Sequence, residues 1–140
     1  MVLAAVGDGS SPAEETDSTA AEIVVYRSPT CSCCGVYEAY LGDEGFTVRT
    51  ELVDDSVVVR DRFGVPDELA SCHTATVGGY VVEGHVPVAG LDRLLDERPA
   101  VTGLALPGMP PGAPGMGGTQ ETPLGIVSFD GRETEPFATL

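Results

Sequence analysis

At 140 residues and a formal net charge of −15, the chain is long enough for one domain with its own core and too acidic to hold nucleic acid by neutralising phosphates. Its seven basic residues are all Arg, and its Asp and Glu are spread along the chain, which reads as a halophilic type of acidic surface whose self-repulsion is screened in high salt, with an interaction surface for cations or basic partners as the alternative. No apolar run approaches the roughly 20 residues of a membrane-spanning helix, and four cysteines are too few for a disulfide scaffold.

Residues 1–21 are rich in Gly, Ser, Pro, Ala and acidic side chains and read as a disordered acidic leader. The apolar start Met1–Val6 resembles the end of a signal sequence but lacks a basic flank, so no complete signal peptide is legible. The domain is expected over residues 22–140. Ile23–Tyr26 is continuously apolar and β-branched, as in a buried parallel strand. A helix follows, from about Cys33 or Cys34 to Asp43, stopped at Gly45. Phe46–Val53 alternates as a second strand, and Asp54-Asp55-Ser56 offers caps for a short helix through Phe63. Pro66–Leu69 suits one further turn.

Thr74–Val77 and Tyr80–Glu83 flank Gly78-Gly79, a hairpin signature. A last helix is expected over Val88–Glu97, with Val88, Leu91, Leu94 and Leu95 on one face. The segment from Leu106 to Thr119 holds too much Pro and Gly for a helix or a central strand, and reads as a loop draped over the domain. Gly125–Phe129 and Glu133–Phe137, around the Asp130-Gly131 turn, are expected as a terminal hairpin. The fold class is therefore α/β: a right-handed βαβ unit followed by a β-hairpin and a helix, the thioredoxin-like order. That order returns Cys72 and His73 to the loop after the first strand.

Cys31-Ser32-Cys33-Cys34 carries the chemistry. A thiol loop opening a helix favours thiolates, because backbone N–H groups and the helix dipole face the sulfurs. Cys31 and Cys34 have the C-x-x-C spacing of a thiol–disulfide oxidoreductase, with Cys31 as nucleophile and Cys34 as resolving thiol. Cys33 is superfluous to that chemistry. With Cys72 it makes four sulfurs, a donor set suited to Cu(I), including a multinuclear copper–thiolate cluster, and secondarily to zinc. A structural zinc site usually draws on two spaced cysteine pairs, and only one is present.

His73 is a further candidate ligand, although an extended Cys72-His73 would point its two side chains apart. His85 is placed at the far end of the hairpin and read as structural. Met109 and Met116 offer thioethers to a soft metal, or fill gaps against the core. No phosphate-binding loop and no Ser/His/Asp arrangement is evident.

Four runs, Tyr26–Gly35, Gly64–Ala75, Val77–Pro87 and Leu104–Pro110 with Gly115-Met116, resemble the CopG-like copper-resistance family, metal-binding proteins with a CxCC motif formerly described as a domain of unknown function. The resemblance runs from about Ile23 to the C-terminus. It implies a thioredoxin-like fold, copper ions and other copper-handling proteins as partners, a role in metal homeostasis and copper redox chemistry. By position it implies Cys31, Cys33, Cys34 and Cys72 as ligands with His73 close by. It also implies an extracytoplasmic or cell-surface location; the missing signal peptide leaves a cytoplasmic one as the alternative. Ser32 stands where a Gly is common in the family.

Overall fold

The computed structural model describes residues 21–140. The leader expected over residues 1–21 lies outside this range except for Ala21. Seven strands and three helices form a mixed α/β fold: β1 (Glu22–Arg27), α1 (Ser32–Asp43), β2 (Thr47–Leu52), α2 (Ser56–Phe63), β3 (Thr74–Val77), β4 (Tyr80–Glu83), α3 (Val88–Glu97), β5 (Gly103–Ala105), β6 (Gly125–Asp130) and β7 (Glu133–Thr139). A single 3-10 turn, Asp67–Leu69, precedes β3. The sheet order is β2-β1-β3-β4-β5-β6-β7.

β1 and β2 run parallel, Ile23 opposite Val48 and Tyr26 opposite Glu51. β3 pairs antiparallel with β1 and with β4 across the Gly78-Gly79 turn. The βαβ unit, hairpin and helix thus follow the predicted order. One strand escaped the sequence reading. Gly103–Ala105 pairs parallel with β4 and antiparallel with β6, so it joins the terminal hairpin to the central sheet. Three residues are too short to display the alternation by which a strand is recognised.

Alternating side chains divide the core between the two faces of the sheet. Val82, Leu104 and Ile126 join Ile23, Val25, Tyr37, Leu41, Leu91 and Leu94 on the face covered by α1 and α3. Val81, Ala105 and Phe129 join Val65 and Leu69 on the other. Helix ends are settled locally. The Asp55 carboxylate accepts from Val57 N–H at 2.9 Å at the start of α2, and the Tyr40 hydroxyl accepts from Val88 N–H at 2.7 Å at the start of α3. None of the helices in the described residues is long and apolar enough to cross a membrane.

The Pro/Gly-rich loop is fastened at several points. Gly108 N–H donates to Ala70 O at 3.1 Å, Ala113 is buried, and Met116 packs against the larger core cluster. Gly115, at φ +85°, lies so close to α1 that a Cβ there would meet Tyr37 N at 2.8 Å and His85 Nδ1 at 2.9 Å.

Candidate metal centre

Two arms meet where β1 ends. The outer arm is the loop from Ser28 to Cys31 and the first turn of α1. Arg27, the last residue of β1, is held by Glu38 Oε2 at 3.0 Å from its Nε. Cys31 N–H donates to Ser28 O at 3.2 Å, which turns the chain into the helix. Cys31 is the N-cap residue, in extended conformation, and its side chain makes no capping bond. The helix starts at Ser32, one or two residues earlier than its apolar spacing suggests, so all three clustered cysteines lie at its opening.

Cys31 and Cys34 are joined as a disulfide, with Cys33 and Cys72 free. Cys34 is fully buried, whereas Cys31 and Cys33 are partly exposed. Cys33 Sγ lies 3.5 Å from Cys31 Sγ and 3.9 Å from Cys72 Sγ. All four sulfurs fall within 4.8 Å of one another.

The inner arm is built on the β3–β4 hairpin. Cys72 and His73 occupy a bend before β3, and the expectation that their side chains diverge does not hold, because that expectation applies only to extended chain. Cys72 Sγ and His73 Nδ1 are 3.4 Å apart. His85 was expected at the far end of the hairpin. The far end is the Gly78-Gly79 turn, and antiparallel pairing returns β4 to the start of β3, with Thr74 opposite Glu83. Gly84 N–H then donates to His73 O at 3.1 Å, and His85 Nε2 lies 3.1 Å from Cys72 Sγ. Cys72 Sγ, His73 and His85 thus form a second group of three donors that shares its sulfur with the first.

Hydrogen bonding fixes the tautomer of His85. Its Nδ1 faces Pro114 O, a carbonyl that can only accept, so Nδ1 carries the hydrogen and Nε2 keeps its lone pair toward Cys72. His73 is fully buried, and its Nε2 has no hydrogen-bond partner in the protein.

The Tyr37 ring packs on both imidazoles, 5.0 Å from His73 and 4.8 Å from His85 between centroids, and its hydroxyl donates to Val86 O at 2.6 Å. This wall removes water from the two imidazoles. Burial, then the neighbouring His85, pushes the His73 pKa down to about 3, and burial lowers that of His85 too. Burial and the adjacent Cys33 push the Cys72 thiol up to about 12. Two neutral imidazoles beside a protonated thiol suit a soft metal ion that would displace the thiol proton.

Met109 is half exposed, one residue beyond Gly108, whose carbonyl accepts from Ser71 Oγ. Met116, packed against the core, is near Pro114, where the loop meets His85.

The family model for proteins of unknown function, DUF411, matches residues 69–116, which span the inner arm and most of the loop. No curated protein matches the chain. Among solved structures, Copper resistance protein copG in Form 2 is 36% identical with a TM-score of 0.80, over 86% of this chain and 98% of that one. Form 1 is likewise 36% identical, with a TM-score of 0.78 over 85% and 96%. At this identity and coverage, the likeness extends beyond a shared fold to the whole domain, and the chain belongs to the CopG family of copper resistance proteins.

Proposed function

We propose that this chain is a copper-binding protein of metal resistance or homeostasis, which holds Cu(I) on the thiolates of Cys31, Cys33, Cys34 and Cys72. The observation that carries the reading is the convergence of four sulfurs within 4.8 Å, with the Cys72–His73–His85 group against them. Soft sulfur donors favour the cuprous ion, and bridging thiolates can hold more than one; zinc is the second choice. Reduction of the Cys31–Cys34 bridge makes the outer arm available, and the inner arm supplies the neutral nitrogens of His73 and His85. The likeness to a copper resistance protein supports copper as the metal.

Met109 and Met116 are proposed as thioether donors closing over the site, since their loop is fastened beside Cys72 at Gly108 and to His85 at Pro114. Redox turnover of copper belongs to the same proposal. An extracytoplasmic location is proposed with it, on the family resemblance alone. Cell fractionation tests the location.

The deciding experiment is anaerobic Cu(I) titration of the reduced protein with elemental analysis. Uptake of at least one copper per chain against a mild chelator is expected. A protein that takes up none is not a copper carrier. A second reading, thiol–disulfide oxidoreductase, is favoured by the Cys31–Cys34 disulfide itself. In that case Cys31→Ser abolishes reductase activity while Cys33→Ser and Cys72→Ser leave it intact. A copper site loses metal on either of the latter changes.

A further inference from the structure

Glu83 is fully buried and makes no salt bridge among the described residues, although the charge of Arg60 acts on it at longer range. Its side chain reaches across the hairpin to the bend that carries Cys72 and His73. Oε2 accepts from Ser71 N–H at 2.8 Å, on one side of those two residues, and Oε1 accepts from Thr74 Oγ1 at 2.5 Å, on the other. The backbone of Glu83 joins the same assembly, because Leu106 N–H donates to its carbonyl at 3.0 Å. Ser71 Oγ in turn donates to Gly108 O, beside Met109. Next to Glu83, Gly84 has φ +86°, and a Cβ there would lie 2.6 Å from Leu106 O and 2.9 Å from Ser71 Cβ, so the three segments touch without a gap.

A buried carboxylate is retained at a cost unless its oxygens are satisfied, and both oxygens here are used on the two ends of one four-residue bend. The hairpin ladder already fixes Thr74 opposite Glu83, so an apolar residue would serve β4 equally well. What an apolar residue could not do is receive Ser71 N–H. We infer that Glu83 is a positioning residue of the metal centre, which holds the Ser71–Thr74 bend so that Cys72 Sγ faces Cys33 and His73 Nδ1 faces Cys72 Sγ. Its role toward copper rests on the copper-binding reading above; its hold on the bend does not.

Glu83→Gln keeps an acceptor for Ser71 N–H and turns its amide hydrogens toward Thr74 Oγ1, whereas Glu83→Ala removes both contacts. The test compares these two with the parent in two arms. In the metal-free reduced protein, amide hydrogen exchange at Ser71 and alkylation of Cys72 by a small thiol reagent are followed. Glu83→Ala is expected to raise both rates at least ~10-fold while the β3–β4 amides stay protected, and Glu83→Gln to restore them. In the second arm, Cu(I) affinity is read by chelator competition. A drop of ~10- to 100-fold is expected for Glu83→Ala, the range seen when groups that orient ligands are removed, with substantial rescue in Glu83→Gln.

A lower melting temperature with unchanged Ser71 exchange, Cys72 reactivity and copper affinity would overturn the inference, because that is the mark of a brace for the fold alone. If Glu83→Ala does not fold, Thr74→Val, which removes one contact, takes its place with an intermediate effect expected; parental values there overturn the inference as well. If the parent itself binds no copper, the second arm defeats the copper reading, and the first still decides whether Glu83 holds the bend.

Discussion

The two arms of the centre are made in opposite ways. The outer arm is one contiguous loop with two partly exposed cysteines, closed by a disulfide between residues three apart. The inner arm is assembled from both ends of a hairpin and a distant loop, is walled by Tyr37, and holds its imidazoles neutral. The outer arm carries the C-x-x-C pair, which opens or closes as two electrons and two protons are gained or lost. The two imidazoles of the inner arm are built into the core, while its thiol, Cys72, is partly exposed.

The comparison breaks most severely at Tyr37. Tyr37→Ala empties a fully buried site and should destabilise the protein by ~3–5 kcal/mol, read by denaturant unfolding, with the inner arm lost first. A change below ~1 kcal/mol would show that the wall is dispensable. Next come the proposed ligands. Cys72→Ser should weaken Cu(I) binding by more than ~100-fold while the Cys31–Cys34 bridge still forms, measured by chelator competition and thiol counting. Equal copper affinity in variant and parent would remove the inner arm from the site.

A third prediction concerns pH. In the unfolded chain His73 takes a proton near its ordinary 6.5, but in the folded protein only near 3. Protons therefore favour the unfolded state across that window: stability is full above about pH 6.5 and is lost as the pH falls toward 3. His85 acts in the same sense, and Glu83, raised by burial, opposes it toward the carboxylate range. Between pH 7 and 5 the metal-free reduced protein should lose on the order of 2 kcal/mol, and His73→Phe should flatten the slope. An unaltered slope in that variant would mean the inner arm is not closed to water.

The smallest effect is expected at the surface, outside both arms. With a net charge of −15, a move from dilute buffer to molar salt should raise the melting temperature by several degrees. An unchanged melting temperature would show that the acidic surface is not adapted to salt.

The outer arm was legible in the sequence because its residues are neighbours: three cysteines within four positions at a strand-to-helix junction need no tertiary information. The return of Cys72 followed from element order, which is coarse but sufficient for a residue at the start of a strand. His85 was misplaced because its position depends on which end of a hairpin a residue follows, a matter of pairing and not of composition. Glu83 gave no local signal, since in sequence it is one more polar residue ending a strand, and only burial and its two acceptor contacts set it apart. β5 was missed for its shortness, although it is central to the sheet.

The unequal exposure of the disulfide sets a direction for its opening. A thiol arriving from solvent can reach Cys31 Sγ, while Cys34 Sγ is sealed within the core. Exchange with an external thiol then forms a mixed disulfide at Cys31 and releases the Cys34 sulfur inward as a thiol, 4.0 Å from the Cys72 carbonyl oxygen; a second thiol attacks the mixed disulfide, carries the first away as its disulfide and frees the Cys31 thiol. The incoming reductant thus occupies the outer face of the site at the moment the inner sulfur becomes free. Any ligand that enters from that face therefore does so after the reductant has left.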